Sequence, residues 1–96
     1  MTLTWTKNAR IRFEEILDYI EKEFGHAARH DFRTRTKEFT ILLKEFPEMG
    51  SIEVREKKIR GFQISRQTRV FYKVKGNRIT ILTFFDIRQD PKKRIG

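Results

Sequence analysis

The chain has 96 residues, with 22 Lys or Arg against 13 Asp or Glu, a formal net charge of +9 and no Cys. That length suffices for one thin-cored domain, read as residues 1–96, and excludes a second. The missing Cys excludes a disulfide scaffold and thiolate metal sites; no apolar run nears the roughly 18 residues of a membrane span, and no secretory leader is legible.

Thr2 to Trp5 reads as a short β-type start. Thr6 reads as an N-cap, followed at helical spacing by Ala9, Phe13, Ile16, Leu17, Ile20 and Phe24. Gly25 sits where a left-handed residue ends that helix. A second helix is expected from about His26 to Glu45, with Ala28, Phe32, Phe39, Leu42, Leu43 and Phe46 on its buried stripe and Pro47 as its stop. After Pro47 the period changes to two. Ile59–Ser65, Thr68–Lys75 and Arg78–Ile87 read as strands, the last two joined at Gly76-Asn77. The expected architecture is α+β in the order β-α-α-β-β-β: an N-terminal helical hairpin packed on one face of a twisted antiparallel sheet.

The charge is segregated. Residues 1–50 hold nine bases and nine acids, whereas residues 51–96 hold thirteen bases and four acids, so the whole surplus lies in the C-terminal half. Such a split points to a polyanionic or acidic partner for the C-terminal half.

A tight turn at Gly76-Asn77 sets cross-strand pairs whose numbers sum to 153. Val74, Tyr72 and Val70 then face Ile79, Ile81 and Thr83 and, with Phe85, form the side against the helices. The open side carries Arg69 beside Phe84, Phe71 beside Leu82 and Lys73 beside Thr80, with Asp86 and Arg88 following by alternation. Phe62 and Ile64 join the core only if the loop through Arg66 and Gln67 has an odd number of residues. An even loop would put Arg60 on the open face. That face, apolar and arginine-bearing, is a surface for phosphate and a base or for an acidic amphipathic segment, unless the C-terminal tail covers it.

Other patterns carry no site. His26 and His30 have zinc-like spacing but no third ligand on their face, so no metal is expected. The acidic cluster Glu14, Glu15, Asp18, Glu21 and Glu23 reads as a solvated helix face. No glycine cluster cradles a phosphate, and nothing implies a cofactor.

Trp5-Thr6 with Ala9, Tyr19-Ile20, Leu43 with Pro47-x-Met49-Gly50, Arg60, the run Thr68-Arg69-Val70-Phe71-Tyr72-Lys73-Val74 and the ending Ile87-Arg88-Gln89-Asp90-Pro91 together resemble the RelE/ParE family of type II toxin–antitoxin toxins, often labelled plasmid stabilisation proteins. The resemblance spans nearly the whole chain. It implies a growth-inhibiting cytoplasmic bacterial toxin held inactive by a cognate antitoxin, the pair acting on its own operator DNA. It also implies one of two targets: DNA gyrase, or mRNA cut in the ribosome.

Cutting RNA by 2′-OH attack needs cations around the phosphorane as well as a base and an acid. By resemblance, Arg69 and Arg88 would hold the phosphate. The Tyr or His common in the ribonuclease branch beyond the last strand is missing from Gln89–Gly96, which leaves Lys57, Lys58, Lys73 and Asp86 for proton transfer. The gyrase-directed reading is therefore preferred; an mRNA endoribonuclease is the alternative, and an inactive or simple nucleic-acid-binding module is a third. For antitoxin or target binding the expected residues are Arg60, Arg69, Phe71, Lys73, Leu82, Phe84 and Arg88.

Overall fold

The computed structural model describes residues 1–88. Strand β1 (Thr2–Trp5) leads into helices α1 (Lys7–Phe24) and α2 (His26–Glu45), followed by strands β2 (Ser51–Val54), β3 (Ile59–Gln63), β4 (Thr68–Lys75) and β5 (Arg78–Asp86). None of these helices is long and apolar enough to cross a membrane.

Thr6 starts α1 as expected. Its extended backbone lets the side chain accept the Ala9 N–H at 3.0 Å, relieving one of the unpaired donors of the first turn. The same hydroxyl donates to the Leu82 carbonyl at 2.7 Å, so the cap is also a bolt to β5. Gly25 adopts φ 93°, a left-handed conformation that a side chain rarely accepts, and its N–H closes on Glu21 O. Helix α2 ends at Glu45 with Phe46 as its C-cap, before Pro47. Its buried line is Phe32, Thr36, Phe39 and Leu43; Leu42 and Phe46, expected on that stripe, are exposed instead. Thr36 takes the inward position without an unmet polar atom, because its hydroxyl folds back onto Phe32 O at 2.9 Å.

The sheet runs β1-β5-β4-β3-β2. It is mixed rather than wholly antiparallel: β1 lies parallel to β5, with Leu3 opposite Ile79 and Trp5 opposite Ile81. The helical hairpin carries the chain back over the sheet, so its first and last strands run the same way. Strand β2, which has no period-two pattern in the sequence, adds a fifth, short edge antiparallel to β3.

From the Gly76-Asn77 turn the pairs Val74 with Ile79, Lys73 with Thr80 and Tyr72 with Ile81 follow the expected register. Then it slips. Phe71 pairs with Thr83, Val70 with Phe84, Arg69 with Phe85 and Thr68 with Asp86, leaving Leu82 as a bulge. The one-residue shift exchanges faces for everything beyond it. Phe84, expected on the open side, is 4% exposed and packs on Trp5 and Phe13 at centroid distances of 5.2 and 5.4 Å; Phe85 moves to the open side. The Ile64 N–H closes on Thr68 O at 2.9 Å, so the loop between these two residues has the odd count, Ser65-Arg66-Gln67. Phe62 accordingly lies opposite Val70 and stacks on Phe39 at 4.9 Å.

Tyr72 anchors the far end of the core. Its hydroxyl accepts the buried Gly50 N–H at 2.8 Å and donates to Pro47 O at 2.9 Å. A Cβ on Gly50 would come within 2.8 Å of both the Gly61 carbonyl and the Tyr72 ring, so the chain must pass there without a side chain. Tyr72→Phe orphans the Gly50 N–H and is expected to cost about 1–3 kcal/mol. A lower urea midpoint at unchanged slope checks this.

Candidate functional site

The open sheet face is built from alternate residues of four strands, β2 contributing Ser51 opposite Gly61. Arg69, Phe71, Lys73 and Lys75 project from β4 by the period of two; Gly61 and Gln63 flank them on β3, and Phe85 lies beside Arg69 on β5. Phe71 and Lys73 are half-buried on this face.

Arg69 reaches across β3 to three side chains. Its Nε and Nη2 both sit 2.9 Å from Glu53 Oε1, its Nη1 donates to Gln63 Oε1 at 3.0 Å, and its Nη2 also donates to Ser51 Oγ at 3.1 Å. Gly61 makes room for this. A Cβ there would stand 2.9 Å from Arg69 Nε and 2.9 Å from Glu53 Cγ. Glu53 reaches the pair because the β2–β3 register shifts between Ile52 and Val54. The guanidinium is held in place and its charge is matched, with contacts on all three of its nitrogens. An incoming phosphate would have to compete with Glu53 for it.

Arg88 is elsewhere. Beyond the Leu82 bulge, Asp86 and Arg88 turn to the helix side instead of the open face, and Arg88 lies over the rings of Tyr19 and Phe24 at 5.9 and 5.7 Å. It clasps Asp86 through Nε at 3.1 Å, Nη2 at 2.8 Å and its backbone N–H at 2.9 Å, while Thr68 donates a hydroxyl to the same carboxylate. The Asp86 side chain is 0% exposed. Burial raises its carboxyl pKa, but the hydrogen bonds from Arg88 and Thr68 outweigh burial and hold it below the ordinary carboxylate range. The Asp86 bonds push the Arg88 guanidinium up. Asp86 is thus a fixed anion under the helices, not a proton donor on the open face.

Three further expected residues lie apart from Arg69. Arg60, opposite Tyr72, uses its guanidinium on the loop before β2, donating to Glu48 O at 3.1 Å and Gly50 O at 2.7 Å. Leu82 is the bulge residue, and Phe84 is core. Lys57 and Lys58 sit in the β2–β3 turn, where with Lys73 and Lys75 they line a cleft of about 310 Å³ at the hairpin end of the sheet. Gln89–Gly96, invoked for a tail cover and for the absent Tyr or His, lie outside the described residues.

Sequence reasoning missed Ser51, Glu53, Gly61 and Gln63, the shell that fixes Arg69. Only Glu53 left a signal, as one of four acids in the C-terminal half. Tyr19 and Tyr72 lie on α1 and in the core, and His26 and His30 lie on α2, so the described part of the open face carries no phenol or imidazole. Among the described residues no three His, Cys, Asp or Glu side chains are grouped to hold a metal ion.

Solved structures share this fold. A chromosomal ParDE toxin–antitoxin system from P. aeruginosa matches with a TM-score of 0.74 at 22% identity, over 90% of this chain and 95% of that one. A YoeB/ParE toxin from Agrobacterium tumefaciens matches with a TM-score of 0.64 at 15% identity, over 90% of this chain and 98% of that one. No curated protein matches the sequence. The family model described as the ParE toxin of the type II toxin–antitoxin system parDE matches residues 3–91. With that match reaching into every described element, the chain belongs to the ParE toxin family of type II toxin–antitoxin systems.

Proposed function

We propose that this protein is a growth-inhibiting bacterial toxin that acts in the cytoplasm by binding DNA gyrase, does not cut RNA, and is neutralised by a cognate antitoxin through which the pair reaches operator DNA. One observation carries the choice of target. The two arginines that a nuclease would converge on one phosphate lie on opposite sides of the sheet, each already paired with a carboxylate. Phosphoryl transfer depends on cations pre-aimed at one developing charge, together with groups that move protons. Around Arg69 the described face offers Lys73 but neither imidazole nor phenol. Binding a protein target needs no such convergence.

The test pairs two assays on one folded preparation. Purified protein is expected to inhibit supercoiling by gyrase, with relief on adding the antitoxin, and to leave a ribosome-bound message intact in primer extension. A new cut inside the A-site codon, or gyrase activity unchanged at saturating protein, overturns the reading. In the first case Lys57, Lys58 and Lys73 become the proton-transfer candidates.

A further inference from the structure

Every ion pair between a carboxylate and a Lys or Arg among the described residues uses arginine: Arg12, Arg29, Arg60, Arg69 and Arg88. The lysines are left over, and four of them meet. Lys57 and Lys58 from the β2–β3 turn face Lys73 and Lys75 from β4 across the cleft of about 310 Å³, with Glu56 as the one acid lining it. None of the four makes an ion pair among the described residues. Four lysines lining one hollow against a single acid leave it a net positive charge, which attracts an anion from outside.

The backbone adds an independent sign. Lys58 is the one described non-glycine residue with a positive φ, 56°, in a turn closed by its own N–H on Arg55 O at 3.1 Å. A left-handed conformation costs a side-chain-bearing residue about 1–2 kcal/mol relative to glycine. A lysine held there keeps an ammonium at the rim at the expense of stability.

We propose that this lysine cleft is a contact site for the phosphate backbone of duplex DNA, separate from the Arg69 cluster and independent of whether gyrase is the target. The ammonium groups are compact point charges that take phosphate oxygens from many directions without the fixed fork a bidentate site needs, which suits the repeating phosphates of a duplex backbone. The cleft offers no aromatic ring for an unpaired base to stack on, and its other lining residues, Val74 and Gly76, read no base edge.

Fluorescence anisotropy with a labelled duplex of arbitrary sequence, without gyrase or antitoxin, tests the site. For wild type, log K is expected to fall with log salt at a slope of about −3 to −4, as for four phosphates. The double variant Lys73→Gln/Lys75→Gln should make that slope shallower by about 2. Lys58→Gly should raise the melting temperature while weakening DNA binding, a combination that loss of structure cannot produce. An unchanged slope in the double variant, or Lys58→Gly binding DNA as wild type does, overturns the proposal. Tighter binding of single-stranded DNA or RNA than of duplex, or polyglutamate displacing duplex at equal charge concentration, also overturns it and assigns the cleft to that ligand.

Discussion

Asp86→Asn lowers the melting temperature by about 12–24 °C, corresponding to a loss of about 3 kcal/mol. The wild-type carboxylate accepts four donors: the Thr68 hydroxyl and three N–H groups of Arg88. An amide has one acceptor oxygen, and its NH₂ turns a donor towards donors. Arg88 then keeps a charge beneath the helices without its partner. The expected loss sits at the low end for a broken buried pair because the Arg88 side chain is still 24% exposed and part of its charge can be rehydrated.

The same substitution changes the acid limb of stability. Because the native carboxyl is held below its ordinary range, the unfolded chain binds the proton more readily than the folded one. The Asp86 contribution is therefore complete above about pH 5 and disappears as pH falls through about 4 and below. Thermal melts between pH 7 and pH 3 should show a shallower decline for Asp86→Asn than for wild type. A variant with parallel decline and an unchanged melting temperature would place Asp86 in solvent.

Phe84→Ala is expected to cost about 3–5 kcal/mol and Phe85→Ala less than about 1 kcal/mol. The two rings are sequence neighbours in the same strand, so propensity cannot separate them. Burial does. Phe84 closes the aromatic group of Trp5 and Phe13, and Phe13 stacks in turn on Phe32 at 5.8 Å; Phe85 lies half-exposed beside Arg69. Urea unfolding of the two variants reads out the register of β5. A reversed order would mean an unbroken ladder from Gly76 onward, with Arg88 returned to the open face.

The extent to which the sequence specified this molecule follows from the range of each signal. Local chemistry was legible: Thr6 and Gly25 bound α1, Pro47 stops the second helix, and Gly76-Asn77 makes the hairpin. The odd loop after Ile64 followed from the burial that Phe62 and Ile64 required. The bulge did not show, because Leu82, Phe84 and Phe85 are all apolar and alternation reads equally well in either register. An unbroken register would put Arg88 and Asp86 on the open face; the Leu82 bulge turns them to the helix side. Arg69 was found as a residue, but its partner was not. The pair with Glu53 depends on two adjacent strand registers, a slip in β2 and the missing side chain of Gly61, none of which is a local property.

Thr6 and Leu82 stand 76 residues apart, yet one hydroxyl serves both the first helix and the last strand. During synthesis that distance is a delay. At about 5–20 residues per second, the ribosome needs about 4–15 s to make the chain between them. In that interval β1 has no strand to lie beside, and the cap of α1 lacks its carbonyl on β5. Contacts of such long range also close slowly once they become possible. The N-terminal strand and helix cap therefore wait for β5: a nascent chain cut short before Arg78 lacks every partner of β1, and one cut before Leu82 can pair β1 but still lacks the carbonyl for the Thr6 bolt.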